Sequence, residues 1–280
     1  MPRPLWKGAI SFGMVTIPIK LYTATEEKDV HFNMLHAEDM SRIKQKRFCS
    51  EEDVEVSNDE IIKGYEITPG RYVTMDEDDF SKVPLTTTRT IDIQEFVSLE
   101  QIDPIYYQKT YFLEPDEVGI KPFALLMKTL EETERVAIAK VAMRQKEQLC
   151  TLRVREGTVV LETMFYADEV RSSKDLALPG DDIKVNAKEL AMAKMLVDTM
   201  TSDELDLSQY KDEYREALLD IIQKKSEGLT IEEPAPITAK ITDLSEALRA
   251  SVEAIRKNRA SGDKQDAEPA AHRRTRAKAS

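Results

Sequence analysis

The chain has 280 residues, 41% of them hydrophobic and 33% charged, and its formal net charge is −12. This composition supports a packed core with long exposed helices or an extended shape, and no apolar run reaches the roughly 18 residues of a membrane span. Two cysteines exclude a disulfide framework, and the first residues lack a secretory signal, so we expect a cytoplasmic protein.

The positive charge of this acidic chain is concentrated at its two ends. Residues 1–50 carry eight Lys and Arg against five Asp and Glu, and residues 256–280 carry eight against three. The net charge alone argues against binding to a polyanion such as DNA, but the distribution of charge matters more than the sum. Both ends are therefore candidates for contacts with nucleic acid.

The first fifty residues predict four strands. Residues 5–12 and 14–22 are apolar, β-branched runs that meet at Gly13, and residues 30–35 and 42–49 are two further runs. Pro18 lies inside the second run. It predicts an edge strand or a bulge there, because proline cannot donate a hydrogen bond to a neighbouring strand.

The next stretch, up to residue 165, mixes strand and helix patterns. Ser57 and Glu60 have the spacing of a capping box and predict a short helix around 58–63. A Pro-Gly pair predicts a hairpin of residues 65–67 and 71–75. The remaining predictions are helices over 76–83 and 119–134, and strands over 89–97, 110–113, 135–143, 148–155 and 158–165. The last two strands are predicted to form a hairpin with its turn at Glu156-Gly157.

The last third of the chain is predicted to be helical. After a connection at 172–186, helices are predicted over 187–200 and 208–226. Two prolines indicate a linker at 230–238, and an amphipathic helix is predicted over 242–258. From residue 260 onward the chain is poor in hydrophobic residues and is predicted to be disordered.

The sequence shows no pattern typical of a catalytic, metal or cofactor site. There is no glycine-rich phosphate loop, three histidines are too few for most acid–base schemes, and Cys49 has no partner at zinc-ribbon spacing. The acidic run at 75–80 lacks the glycine and the distal glutamate of a calcium loop. We therefore expect no enzymatic activity, no cofactor and no metal.

The most informative stretch is SRIKQKR, residues 41–47. On a strand, Arg42, Lys44 and Lys46 would point to one face at a spacing of about 6.7 Å, since each residue spans about 3.3 Å. Such a row is commensurate with the phosphates of a DNA strand, about 3.4 Å apart along the axis, and would bind them without sequence preference. The alternative is a solvated edge strand whose cations only prevent aggregation.

Three longer stretches resemble the bacterial Ku family: LWKGAISFGMVTIPIKLYTATE at 5–26, DPIYYQKTYFLEPD at 103–116 and TMFYADEVR at 163–171. The run SRIKQKRFC followed by IIKGYEITPGRYV also fits the layout of that family, and the resemblance covers residues 2–228. It implies a mixed β and α fold. A Ku-type β-barrel core would carry a DNA-encircling bridge arm and be followed by a helical C-terminal arm.

The resemblance also implies a division of the chain. Residues 1–185 would form the core, with the bridge arm at about 38–66, and residues 186–228 would form the helical arm. Residues 229–280 would hold the linker, a partner-binding helix at about 242–258 and a mildly basic, disordered tail.

The function implied by the resemblance is repair of double-strand breaks by non-homologous end joining. Members of the family form homodimeric rings that thread onto double-stranded DNA ends and recruit or stimulate a multifunctional DNA ligase, without catalysis of their own. A protein of this kind would be cytoplasmic and associated with the bacterial nucleoid, with no membrane contact.

The resemblance assigns residues to each of these contacts. The DNA-binding candidates are cations in and near the arm: Arg42, Lys44, Lys46, Arg47, Lys63, Arg71 and Lys7. The dimer candidates are apolar residues of the two helices after residue 186: Met192, Met195, Leu196, Leu218, Leu219, Ile221 and Ile222. The ligase candidates are the apolar stripe of the last predicted helix: Leu244, Leu248, Val252 and Ile255. The acids Glu51, Glu52 and Asp53 would lie on a turn away from the duplex.

Two other classes of function stay open on the residues alone. A protein–protein adaptor would carry the basic run as solvated surface and would show no salt-dependent DNA binding. A DNA-processing enzyme would need a clustered carboxylate or His/Cys site. The apolar residues of the two helices could also pack within one subunit, and the basic tail could be a solvated chain end.

Overall fold

A computed structural model of the protein describes residues 3–83, 89–143, 146–180, 183–230, 248–249 and 251–253. The chain divides into two compact units, Met1–Lys174 and Asp175–Ser280. The strands of the described residues are β1 Trp6–Phe12, β2 Val15–Thr23, β3 Lys63–Thr68, β4 Arg71–Met75, β5 Thr90–Ser98, β6 Tyr107–Pro115, β7 Arg135–Met143, β8 Lys146–Arg155 and β9 Thr158–Met164. The α-helices are α1 Glu77–Ser81, α2 Ile120–Thr133, α3 Ala187–Met200 and α4 Glu213–Ser226.

Seven of the strands close into a barrel. Their order is β1, β2, β6, β9, β8, β7, β5, and every neighbouring pair is antiparallel except β1 with β5. The predicted Glu156-Gly157 turn joins β8 to β9 with left-handed backbone at both residues, at φ 49° and 76°. This is the backbone that a tight two-residue hairpin turn requires. The predicted mixed fold with a β-barrel core is confirmed.

Alternation along the strands places one row of side chains inside the barrel. Ile10, Ile19, Leu152 and Leu161 are fully buried there. Helix α2 adds its own buried face to this core and connects the end of β6 to the start of β7. It therefore covers the end of the barrel at which β6 finishes and β7 begins.

The prediction that Pro18 marks an edge strand or a bulge is wrong. Pro18 pairs with Ala9 in an unbroken β1–β2 register, and β2 has β6 as its second neighbour. Pairing with β6 begins only at Ile19, and the Pro18 carbonyl accepts a hydrogen bond from the Asp116 N–H at 3.0 Å. The proline thus lies where pairing with β6 ends, and a missing N–H is tolerated at such a position.

Residues 24–89, which connect β2 to β5, are called the insertion below. It contains a two-stranded sheet of β3 and β4, and then α1. The predicted capping box is present, because Ser57 and Glu60 cap each other around a short 3₁₀ turn, Asn58–Glu60. The strands predicted at 30–35 and 42–49 are absent from the described insertion, where two isolated bridges, Leu35 to Arg42 and Phe48 to Glu55, occur instead.

The second unit contains α3 and α4. Helix α3 has the predicted bounds, whereas α4 begins at Glu213, after a 3₁₀ turn at Leu207–Gln209. Neither helix buries a side chain. Of the helix predicted at 242–258, residues 248–249 and 251–253 are helical, and the rest, including Leu244 and Ile255, lies outside the described residues. The predicted disordered tail from residue 260 also lies outside them.

Candidate nucleic-acid interface

The basic run of the insertion is not a regular strand. Between the bridge at Arg42 and the bridge at Phe48, residues 43–47 pair with no neighbouring strand in the described part of the chain. The prediction that Arg42, Lys44 and Lys46 lie on one face of a strand is therefore wrong. The physical reason is that a strand needs a partner for its backbone groups, and the alternation of cations does not supply one.

A tight turn precedes the basic run. The His36 N–H donates to the Ser41 carbonyl at 2.8 Å, and Met40 takes the left-handed conformation inside the turn, with φ 56°. Hydrogen bonds from Ser41, and then from His36, hold the pKa of the Asp39 carboxyl below its ordinary value. These local bonds fix the backbone where it enters the basic run.

A second turn follows the basic run and carries the acids. The Cys49 N–H donates to the Val54 carbonyl at 2.9 Å, and the Asp53 N–H donates back to the Cys49 carbonyl at 3.0 Å. Backbone N–H groups of Glu52 and Glu51 also hold the pKa of the Cys49 thiol below its ordinary value. The prediction that Glu51, Glu52 and Asp53 lie on a turn is confirmed, whereas their direction relative to DNA stays a prediction.

The four cations of the run differ in their partners. Lys46 Nζ lies 2.6 Å from Glu55 Oε2, and an Arg47 guanidinium nitrogen donates to Asn58 Oδ1 at 2.8 Å. Arg42 and Lys44 are exposed and have no acidic side chain within ion-pair distance among the described residues. The charges of Arg42 and Lys44 are therefore uncompensated locally, and both side chains are available to an outside anion.

The other three DNA-binding candidates are also exposed and make no ion pair in the described structure. Lys63 opens β3, and its ammonium lies 4.7 Å from the centroid of the Phe80 ring, a cation–π contact. Arg71 opens β4 on the far side of the hairpin turn, and Lys7 lies in β1 of the barrel. Lys63 and Arg71 thus share one hairpin, whereas Lys7 lies on a different sheet.

The hairpin also presents an apolar face that sequence reasoning missed. Lys63 pairs with Met75 and Tyr65 with Val73, so that the side chains of these residues share one face with Ile67. Tyr65 is 71% exposed and lines a shallow groove together with Phe80. The sequence signal that could have found this face is the alternation of apolar residues along two short strands. The structure adds that the sheet of β3 and β4 has no third strand.

The dimer candidates on α3 and α4 are partly or fully exposed. Met195 and Leu219 are each 49% exposed, and none of the seven candidates is buried. The structure therefore gives these apolar side chains no packed core within the described chain.

The ligase candidates are only partly described. Leu248 is half-buried and Val252 is 8% exposed. The contact that these residues make with a partner stays a prediction.

The described residues contain no group of three or more His, Cys, Asp or Glu side chains placed to hold a metal ion. No helix within the described ranges is long and apolar enough to cross a membrane.

Comparison with known proteins places these features in a family. The family model of the Ku70/Ku80 β-barrel domain matches residues 11–192. The chain is 46% identical over 259 residues to a non-homologous end joining protein Ku of Frankia casuarinae, covering 92% of this chain and 65% of that one. It is also 46% identical over 264 residues to a protein of the same name from Symbiobacterium thermophilum, with 92% and 64% covered.

A third relative matches over almost its whole length. The chain is 43% identical over 274 residues to the non-homologous end joining protein Ku of Heliobacterium modesticaldum, covering 97% of this chain and 98% of that one. The chain thus spans slightly less than two thirds of the Frankia and Symbiobacterium relatives and nearly all of the Heliobacterium one.

Proposed function

The chain belongs to the Ku family of non-homologous end joining proteins, and from this membership we propose that it binds double-stranded DNA ends during repair. Two copies form a ring around the duplex, with the basic run of each insertion facing the phosphates. The bound ring then recruits a multifunctional DNA ligase. No catalytic step is assigned to the chain itself.

The observation that carries the proposal is the pair of uncompensated cations, Arg42 and Lys44, on an insertion that leaves the barrel. Both are exposed and free of acidic partners among the described residues, whereas Lys46 is already paired with Glu55. Cations that contact phosphate release counterions from DNA, which gives affinity without sequence preference. A chain with a net charge of −12 needs such a local positive surface to approach a duplex.

The homodimer is supported by apolar surface that one copy leaves uncovered. The hairpin of the insertion exposes Tyr65 and Ile67, and α4 exposes Leu219 and Ile222. A two-stranded hairpin is marginally stable by itself, and helices that bury nothing gain little from their apolar residues. A second copy of the chain would cover both surfaces.

Recruitment of the ligase is assigned to the helix predicted at 242–258. We expect Leu248→Asp to abolish pull-down of an end-joining ligase, because it places a charge on the apolar stripe, while binding to DNA ends persists. Undiminished pull-down would refute the assignment.

The experiment that tests end binding compares two forms of one duplex in a gel shift across a salt series. One form is linear, and the other is the same duplex closed into a relaxed circle. A ring that loads from ends binds the linear form alone. Its affinity falls with salt with a log–log slope of about −0.9 for each phosphate neutralised.

A third substrate is the linear duplex with a bulky protein cap on each end. A ring that threads cannot load onto it, whereas a protein that binds along the groove is unaffected. Equal binding to the linear, circular and capped forms would refute the ring, and absence of any salt-dependent binding would favour the adaptor class instead.

A further inference from the structure

We propose that the open mouth of the β-barrel binds a nucleoside 5′-monophosphate, either as a free nucleotide or as the terminal nucleotide of an unpaired DNA strand. The mouth is the end of the barrel opposite α2. It is formed where β1, β6 and β8 begin and where β7 and β9 end. The choice between the two sources rests on the proposed function, but the site itself does not.

The two ends of the barrel differ in how they are closed. Phe123, Leu126 and Leu130 of α2 pack into the core and fill one end. The other end opens into a cavity of about 470 Å³. That volume lies within the range of about 300–1,000 Å³ typical of small-ligand sites, and the mouths of β-barrels are among their usual locations.

Polar side chains reach this cavity from β6 and β8. Gln148 is two residues before the buried Cys150 on β8 and shares its inward side. Lys109 is exposed and lies beside a break in the β6–β9 register, between Tyr107 and Thr110, and its side chain lines the cavity at the rim. A glutamine at an inward position is unusual in a barrel whose core is otherwise apolar.

The aromatic wall of the cavity is the indole of Trp6. Its ring lies against Gly8, where an added Cβ would collide with the ring carbons Cη2 and Cζ2. The glycine therefore makes the room that the indole occupies at the rim. Tyr111 lines the same cavity, so one aromatic ring is at the edge and another is deeper.

The charge of the cavity is positive. Lys109 and Lys146 line it, and no Asp or Glu is among the described lining residues. Lys146 Nζ lies 3.3 Å from Glu169 Oε1, whereas the Lys109 ammonium makes no ion pair with any described residue. An uncompensated ammonium at the rim of a cavity in an acidic protein is suited to bind an anion.

These groups fit one class of ligand. An aromatic face stacks on a nucleobase, and such stacking tolerates any base. The carboxamides of Gln108 and Gln148 offer donors and acceptors to the polar edge of the base, and an ammonium binds phosphate as a point charge. A nucleoside 5′-monophosphate combines the planar ring and the anion that this lining would recognise.

The mouth is also the end of the barrel from which the insertion departs. Strand β2 finishes at Thr23, which pairs with Tyr111 of the cavity wall, and the insertion follows directly. If the insertion contacts duplex DNA, an unpaired strand at the same DNA end has a cavity available on the barrel. This continuity supports the terminal nucleotide as the source of the ligand.

The test uses the fluorescence of Trp6, which is the only tryptophan of the chain. The full-length protein is titrated with deoxyadenosine 5′-monophosphate, with deoxyadenosine, and with a short single-stranded oligonucleotide with or without a 5′-phosphate. N-acetyltryptophanamide in the same titrations corrects for light absorbed by the ligand. We expect saturable quenching by the phosphorylated ligands and at least about tenfold weaker binding of the unphosphorylated ones.

The variant Lys109→Gln should weaken binding of the phosphorylated ligand by about tenfold, because it removes one charge-assisted hydrogen bond. The matched control is Lys121→Gln, which removes an exposed lysine from α2 at the closed end of the barrel. The control should bind like the parent protein. Circular dichroism spectra of both variants verify that each retains the fold.

The different ligands of the titration distinguish a free nucleotide from the terminal nucleotide of a DNA strand. Quenching by the free nucleotide alone would assign a free ligand, and tighter binding of the phosphorylated oligonucleotide would assign a DNA terminus. No saturable quenching at millimolar ligand, equal quenching by phosphorylated and unphosphorylated ligands, or an unchanged affinity in Lys109→Gln would overturn the proposal. A protein that binds nucleotide but not duplex ends would retain this site and refute the proposed function instead.

Discussion

The cations of the basic run are alike in the sequence but differ in their partners in the structure. Arg42, Lys44 and Lys46 alternate regularly along the sequence, yet only Lys46 forms an ion pair among the described residues, with Glu55, nine residues further along the chain. That partner is set by the turn at Cys49 and Asp53, whose backbone bonds bring Glu55 back beside Phe48. The free cations can therefore be chosen only after the fold of the insertion is known.

At this scale we predict the effect of removing the two free cations. In a ring of two copies, the double variant Arg42→Gln/Lys44→Gln removes four phosphate contacts, two from each copy. It should therefore make the log–log salt slope of binding to linear duplex shallower by about 3.6, because about 0.9 is lost for each contact. The slope is measured by fluorescence anisotropy across a salt series.

The matched control is Lys121→Gln/Lys128→Gln, which removes the same charge from two exposed lysines of α2. It should leave the slope unchanged. Equal slopes for the parent protein and the Arg42/Lys44 variant would show that these cations do not contact phosphate.

Whole elements were predicted well where local pattern and tertiary environment agree. Strand β7 and helix α3 have the predicted bounds, and the Glu156-Gly157 turn is where it was expected. Strand β7 is a nearly continuous apolar run that pairs with β5 on one side and β8 on the other, and α3 begins where the Asn186 side chain accepts a hydrogen bond from the Lys188 N–H. The strands predicted at 30–35 and 42–49 failed, since an apolar or alternating run forms a strand only beside a partner strand.

Helix α2 offers a prediction at the element scale. Adjacent leucines have opposite environments: Leu126 is fully buried against the barrel core, and Leu125 is 61% exposed. We expect Leu126→Ala to lower the free energy of unfolding by about 2–5 kcal/mol, because it removes buried methyl groups and leaves a cavity.

The matched variant Leu125→Ala should change stability by less than about 0.5 kcal/mol, since its side chain is mainly in solvent. Urea denaturation followed by circular dichroism measures both. Similar losses in the two variants would mean that α2 does not close the barrel with the face described.

At the scale of the molecule, the main feature that a single copy of the chain leaves unexplained is its exposed apolar side chains. Neither α3 nor α4 buries a side chain in the described structure, and the hairpin of the insertion exposes an apolar face. Exposed apolar side chains that share one face, as on the hairpin, are typical of an interaction site. The proposed dimer would explain it.

We therefore predict that charge on α4 dissociates the dimer. Leu219→Lys/Ile222→Lys should convert the protein from two copies to one in size-exclusion chromatography with light scattering, because two ammonium groups cannot be buried in an apolar contact without partners. The change should also abolish preference for linear over circular DNA.

The control Gln223→Lys adds a positive charge at an exposed polar position of the same helix. It should leave the mass unchanged. A double variant that keeps the mass of the parent protein would place the dimer contact elsewhere.

The sequence by itself determined the elements of the barrel and the family, because strand and helix periods are local and the motifs are long and ordered. The tertiary structure decided which cations are free, which end of the barrel is open and which apolar faces lack a core. Those properties depend on pairs such as Lys46 with Glu55, and on the strand register that places Gln148 on the inward side of β8 at the mouth. Such pairings arise when the chain folds back on itself, so no local pattern specifies them.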